Sequence, residues 1–259
     1  MAGSTAFDRA AAYYDATRGR TRAGTARETA VLAAELDGHG PVLEVGVGTG
    51  QVALPLQGAG LPMTGIDLAA PMLDVLRAKA GGAAPFPLVL GDATVMPFAN
   101  GAFGGVVLRW VLHLIPDWRA AASEIARVTR SGGVVCVLLG GGGDGPPEKI
   151  KERFCEEAGI TQSPAGLGWH DHAGIDEAMA GHGASPRTLS PFTDEESMTP
   201  EMFMQGIEGD RFSWTWPVPE QARIAAAADT RAWAEREFGP LDRLAPRPYD
   251  VIWHAYDLP

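Results

Sequence analysis

PVLEVGVGTG (residues 41–50) runs from an apolar, strand-like stretch into three glycines set two apart, Gly46, Gly48 and Gly50, with Glu44 just ahead of them. An apolar run that ends in such a turn places the turn at the carboxyl edge of a parallel sheet, where open α/β folds bind ligands. Glycines there let the chain bend sharply and let a ligand reach backbone atoms that a Cβ would shield. The spacing narrows the choice of ligand. A dinucleotide fingerprint requires G-x-G-x-x-G, whereas Gln51 follows the third glycine here, so the pattern argues against NAD or FAD.

Outward from this turn, MTGIDL (63–68), PLVLGDA (87–93), GAFGGVVLRWV (101–111) and GGVVCVLLG (132–140) read as four further strands. Amphipathic stretches lie between them, PMLDVLRAKA (71–80) with Pro71 suited to a first helical turn and DWRAAASEIARVTR (117–130) opening at Asp117. This alternation predicts an α/β fold with a parallel sheet covered on both faces. Ahead of the first strand, Phe7, Ala10, Ala11, Tyr14 and Arg18 recur at helical spacing and predict a helix over the sheet edge. GGGGDGPP (140–147) reads as a hinge. Beyond it, five of the seven tryptophans and Met198, Met202 and Met204 fall among prolines and glycines, which reads as a cap; PYDVIWHAYDL (248–258) reads as a final strand. The expected division is a lid helix (1–30), a ligand-binding core (31–140), a substrate-covering cap with the remaining sheet elements (141–247) and the last strand (248–259).

The chain's 259 residues fit one large domain or one domain with an insertion. With 46% hydrophobic and 20% charged residues and a mean hydropathy of −0.03, a disordered, collagen-like or multi-span membrane chain is excluded. No apolar run approaches the roughly 20 residues that span a bilayer. MAGSTAFDRA carries Asp8 and Arg9 where an export signal needs an apolar core, so a cytoplasmic protein is expected. A net charge of −11 repels polyanions and directs attention to small molecules rather than nucleic acid. Arg18, Arg20, Arg22 and Arg27 form one basic cluster, readable as a solvated helix face or a ligand contact. Cys136 and Cys155 have neither disulfide nor metal-ligand spacing, which suits unpaired thiols in a reducing compartment.

Asp67 ends the second strand, 21 residues after Gly46. An ionised carboxylate there can accept both hydroxyls of a ribose, or cap the helix ahead of Pro71, and the two roles are compatible. In Gly91-Asp92-Ala93 a carboxylate could accept an exocyclic adenine amine while the next N–H donates to the ring; a plain turn is the alternative.

As an ordered set, FDRAAAYYDATR, VLEVGVGTG, IDLAAPML, GDATVMPF and VLHLIPDWRAAASEIARVTRSGG resemble the class I S-adenosylmethionine-dependent methyltransferases, in particular the small-molecule branch related to the ubiquinone and menaquinone enzymes. The resemblance spans residues 7 to 140. It implies a Rossmann-like, doubly wound, mostly parallel seven-stranded sheet with a helical cap in the C-terminal half, and S-adenosylmethionine as cofactor with S-adenosylhomocysteine as product. It implies that Glu44, Gly46, Gly48 and Gly50 hold the methionine part and that Asp67 holds the ribose. Leu68 and Met72 would pack on the adenine, Asp92 and Ala93 read its edge, Arg109 and Trp110 close around the cofactor, and Tyr14 lids the site. Three residues depart from the family's pattern: Ala69 in place of a frequent Ser, Gly104 and Gly105 in place of a bulkier pair, and a large Arg109.

Methyl transfer from a sulfonium is an in-line displacement with a good leaving group, so alignment and exclusion of water supply much of the acceleration and a base is optional. His113, just past the fourth strand, is the candidate base, with a packing role as the alternative. His170 and His172 in WHDH (169–172) fall short of a metal ligand set. Thr199 and Pro200 start a helix in the cap, and Met202, Phe203, Ile207, Phe212, Trp214 and Trp216 are candidates to line an acceptor pocket or to form plain core. The expected activity is methylation of a small organic acceptor at oxygen or nitrogen in preference to carbon, by a monomer or homodimer. A cofactor-binding protein without methyl transfer or with a reaction other than methyl transfer, and then an RNA or protein methyltransferase, are the alternatives.

Overall fold

The structure, a computed structural model, describes residues 7–140, 145–161, 166–195, 198–244 and 248–259. Four uninterrupted or nearly uninterrupted apolar runs form its centre: β1 (Val42–Val45), β2 (Met63–Asp67), β4 (Phe103–Arg109) and β5 (Thr129–Leu138). Every residue of β1 and β4 is buried, as expected of parallel strands covered on both faces. With the short β3 (Leu88–Leu90), β6 (Ser185–Thr188) and β9 (His254–Asp257) they make one seven-stranded sheet in the order β3-β2-β1-β4-β5-β9-β6. Pairings are parallel from β3 through β5, and β9 is inserted antiparallel between β5 and β6. The order reverses between β1 and β4, so their carboxyl ends flank the crevice where such sheets bind ligands.

Helices cover both faces. On one, α2 (Arg22–Leu36), α3 (Ala53–Gly58) and α4 (Ala70–Lys79) bury Leu32, Leu36, Leu56, Leu73 and Leu76 against Val42, Met63, Val107 and Val134. On the other, α5 (Trp118–Val128) and α7 (His172–Ala180) bury Ile125, Val128, Ile175 and Met179 against Leu43, Val106, Val135 and Tyr256. Asp117 caps α5 by accepting the N–H of Ala120, as its position predicts. Gly104 and Gly105 bring the end of α2 onto β4: a side chain at either would collide with the His39 carbonyl or with Leu36, which accounts for the missing bulky pair. A third cluster forms the cap, where α6 (Pro146–Glu157), α8 (Pro200–Glu208) and α9 (Glu220–Phe238) enclose Ile150, Phe154, Met204, Ile207 and Phe212.

Three expectations need correction. The N-terminal helix is broken: a 3-10 turn at Asp8–Ala10 is followed by α1 (Tyr14–Arg18), Gly19 turns extended, and residues 22–30 belong to α2. The stretch 248–258 is two strands. β8 (Pro248–Val251) pairs with β7 (Phe192–Glu195) in a separate two-stranded sheet, and only β9 joins the main sheet. The basic cluster divides: Arg22 and Arg27 are exposed on α2, whereas the Arg20 side chain is 1% exposed and bonded to Glu28 at 2.9 Å and to the Tyr249 hydroxyl at 2.7 Å. Residues 141–144 of the expected hinge lie outside the described residues.

Candidate functional site

At the carboxyl ends of β1, β2, β3 and β4 a cleft of about 650 Å³ opens between the sheet and the cap. Its floor is Gly46 and Gly48 after β1, Asp67 and Leu68 after β2, Asp92 and Ala93 after β3, and Arg109 and Trp110 at the end of β4. Met72 enters from α4, and Tyr14 and Arg18 from α1, which roofs the floor. Three sequence segments read separately therefore converge on one space. The roof is tied down at its edge: Asp15 of α1 accepts the Thr49 hydroxyl at 2.5 Å and the Lys79 ammonium at 2.8 Å.

Asp67 accepts the N–H of Gly48 at 2.7 Å through one oxygen and that of Ala69 at 2.9 Å through the other. Each oxygen keeps a lone pair, so the carboxylate fixes the glycine turn and can still accept from a diol. Burial raises its pKa, and the backbone N–H groups of Ala69, Gly48 and Leu68 counter that rise. Asp92 takes the N–H and hydroxyl of Thr94, both at 2.9 Å, through one oxygen, which shapes the turn beneath the cleft.

Glu44 and Gly50 do not line this cleft. Gly50, at φ +79°, is a turn and packing residue, since a Cβ there would lie 2.9 Å from Leu54 and Leu76. Glu44, 3% exposed, borders a separate pocket of about 20 Å³ that shares Tyr14, Gly46, Gly48, Arg109 and Trp110 with the larger one. Around it stand three buried polar atoms without partners: Glu44 Oε2, Arg109 Nε and Trp110 Nε1. Burial pushes the Glu44 carboxyl well above its ordinary range, with Arg109 only partly opposing this. One unfilled acceptor beside two unfilled donors is the complement of an ammonium and a carboxylate on one carbon. Trp110 holds its place at φ +57°, a conformation that costs a non-glycine residue energy and is characteristic of functional turns.

Arg109 is set by a buried charge network. Its guanidinium lies 4.1 Å from the Trp110 ring centroid and 3.4 Å from Glu28 of α2. Glu28 also binds Arg20, which lies 3.5 Å from Asp194 of the β7–β8 sheet. Removing one member of such a buried set strands the others, typically at about 3–5 kcal/mol.

The opposite wall is aromatic. Phe212 and Trp214 stack with centroids 5.3 Å apart, Phe203 of α8 lies against Phe212, and His113 stacks on Trp169 at 3.7 Å. Phe203, Phe212 and Trp214 line the cleft as expected. Met202 and Trp216 do not: Met202 is 44% exposed on the outer side of α8, and Trp216 packs against Phe7 and donates to the Asp210 carbonyl. His113 lines the cleft, but burial, with Arg18 and Lys151 nearby, lowers its pKa to about 3. It is neutral at working pH and a weak base. In WHDH, Asp171 caps α7 through the N–H of Gly174, His172 stacks on His254, and His170 faces the cleft. Sequence reasoning missed Phe7, Lys151 and Trp169. Glu148, Lys151 and Glu152 recur at helical spacing in EKIKERF, the signal that could have flagged one face of α6.

Residues 43–137 match the family model described as a methyltransferase domain. Phosphatidylethanolamine N-methyltransferase of Cereibacter sphaeroides is 33% identical over 172 residues, 65% of this chain and 81% of that protein. The chain belongs to the class I S-adenosylmethionine-dependent methyltransferases. Demethylmenaquinone methyltransferase of Mycolicibacterium vanbaalenii is 36% identical over 135 residues, 50% of this chain and 57% of that methyltransferase, so the chain spans little more than half of that relative. Among solved structures, the YcgJ protein of Bacillus subtilis superposes with a TM-score of 0.61 at 15% identity, over 90% of this chain and 99% of that one, which supports the fold alone. The cofactor of the class is S-adenosylmethionine, and the partnerless atoms around Glu44, Arg109 and Trp110 fit its amino-acid end.

Proposed function

We propose that this methyltransferase transfers a methyl group to oxygen or nitrogen of a small organic acceptor inside the closed cleft. The observation that carries the reading is the continuity of one cavity from the Asp67 and Asp92 floor to the aromatic wall of His113, Trp169, Phe212 and Trp214. When bound, the cofactor supplies an electrophilic methyl on a sulfonium. Glu44 and the Gly46 turn would hold its ammonium, Arg109 and Trp110 its carboxylate, Asp67 its ribose, and Asp92 and Ala93 the adenine edge, with Leu68 and Met72 packed on the ring. Tyr14, on the short α1, would roof the site.

The chain's remaining task is to hold the acceptor in line and dry. Well-oriented reactants gain roughly 7–11 kcal/mol over free encounter. The aromatic wall supplies the walls for that alignment and excludes water. His113, with a pKa near 3, is too weak to draw a proton from carbon, whereas a neutral amine or an already ionised oxygen attacks with its own lone pair and needs no base. That supports oxygen or nitrogen over carbon, and a packing role for His113. The net charge of −11 supports a small molecule over nucleic acid, and buried, unpaired Cys136 and Cys155 suit a reducing cytoplasm. Among the described residues no helix is long and apolar enough to cross a membrane. The proposed assembly is a monomer or homodimer.

The test is methyl-labelled S-adenosylmethionine with a panel of phenols, amines and quinone-like compounds, alongside calorimetric titration with S-adenosylhomocysteine. Label on an oxygen or nitrogen acceptor supports the reading. Cofactor binding with label reaching no acceptor would favour a binding protein instead.

A further inference from the structure

Two cations on the acceptor side of the cleft differ from the other well-packed arginines. Arg20, Arg109 and Arg223 each face a carboxylate. Lys151 and Arg18 form no ion pair among the described residues. The Lys151 ammonium, half-buried on α6, lies 5.1 Å from the ring centroid of Trp169 and 5.7 Å from that of Trp214. Arg18 lies 5.3 Å from the Phe212 centroid and 5.5 Å from that of Tyr14. Through Nη1 alone it donates to the Thr17 hydroxyl and the Arg211 carbonyl, at 2.9 and 3.4 Å. Phe212 and Trp214 stack between the two cations.

Both cations lie near enough to His113 to help depress its pKa, which sets two positive charges along this wall in a chain of net charge −11. The other charges that α6 brings to the cleft are Glu148, half-buried, and Lys149 and Glu152, which are exposed at the rim. Burial draws the Lys151 pKa down, while Cys155, Glu148 and Glu152 oppose that. A cation taken out of water without a counter-ion is costly, and an anion supplied by a ligand removes the cost. Flat rings beside each cation favour a planar body attached to that anion.

Building on the methyl-transfer reading of the cleft, we propose that the acceptor is a planar, ring-bearing anion whose acidic oxygens are held by Lys151 and Arg18 against the wall formed by Trp169, Phe212 and Trp214. The cations select the acceptor and hold its acidic end, and the rings align its body toward the cofactor end.

The test uses a matched pair of fluorescent probes, 8-anilinonaphthalene-1-sulfonate and N-phenyl-1-naphthylamine, which differ only in the sulfonate. Each is titrated into the full chain with and without S-adenosylhomocysteine. The charged probe is expected to bind about tenfold more tightly, as one charge-assisted contact in a partly dry site would give. Lys151→Met should remove most of that advantage and Lys151→Arg should keep it. Equal or tighter binding of the neutral probe, binding of neither, or an advantage undiminished in Lys151→Met would overturn the proposal. If Lys151→Met fails to unfold cooperatively on heating, Arg18→Met carries the same expectation and the same overturning result. Calorimetric titration with S-adenosylhomocysteine reads the cofactor end separately. Its failure in the wild-type chain would remove the methyl-transfer reading while leaving the probe comparison interpretable.

Discussion

The two ends of the cleft are built by different means. The cofactor end is backbone geometry at strand termini: the Gly46 turn, Asp67 on the N–H groups of Gly48 and Ala69, and the strained Trp110 after β4. The proposed acceptor end is made by side chains, Lys151 from α6, Phe203 from α8, Arg18 from α1, and His113, Trp169, Phe212 and Trp214 from connections. The first is constrained by hydrogen-bonding geometry. The second is constrained only by packing, so its chemistry can change without disturbing the sheet.

That contrast can be broken experimentally, and the largest effect is expected at Asp67. Asp67→Ala removes the acceptor that holds the turn and, in the proposed reading, the ribose; S-adenosylhomocysteine affinity should fall by about 100-fold, judged from 1.5–3 kcal/mol per charge-assisted bond. The fold should persist, and calorimetry showing unchanged affinity would mean the ribose contact is misassigned. Gly50→Ala tests whether that glycine serves the chain rather than the ligand. Its φ of +79° and the 2.9 Å approach to Leu54 and Leu76 predict a stability loss of about 1–3 kcal/mol in urea titration, with weaker cofactor binding following from the distorted turn.

His113 sharpens the comparison through pH. Its pKa falls from an ordinary 6.5 to about 3 on burial, so between these values the unfolded chain carries the extra proton. The associated stability is fully present above pH 6.5 and is lost as pH falls toward 3, at about 1.4 kcal/mol per unit. His113→Phe should therefore show a shallower acid limb than the wild type in unfolding measured at successive pH values. An equally steep limb would mean that the imidazole is wet. The smallest effect is expected from Thr199→Ala, which removes the N-cap that Met202 N–H donates to at 3.2 Å. It should cost about 1 kcal/mol in thermal or chemical unfolding and raise the acceptor KM without changing cofactor affinity.

The same contrast explains what the sequence made legible. Strands β1 to β5, both helix starts at Asp117 and Thr199, and the convergence of Asp67, Asp92 and the glycine turn follow from local patterns, because each rests on neighbours a few residues away. Glu44 and Gly50 share one motif, but that Glu44 opens on a separate small pocket while Gly50 packs onto Leu54 and Leu76 are tertiary facts. The burial of Arg20 is not legible in its own segment, because its partners Asp194 and Tyr249 come from strands more than 170 residues away. The break in 248–258 was invisible for a related reason, since the two halves satisfy different sheets. In the cap, helical periodicity identified apolar residues but not which of them face the cleft, so Met202 was included and Trp169 missed.

The latch between Asp15, Thr49 and Lys79 sets how the roof answers to salt. Its charged partners are 42% and 34% exposed, a setting in which an ion pair contributes only about 0–1 kcal/mol and weakens as salt rises. Beneath it Tyr14 packs on the buried cluster of Phe7, Ala10, Ala69 and Met72, and the buried Arg20, Glu28 and Arg109 set holds the neighbouring α2 in place. Rising ionic strength therefore slackens the rim of α1 and leaves its anchorage on the sheet untouched.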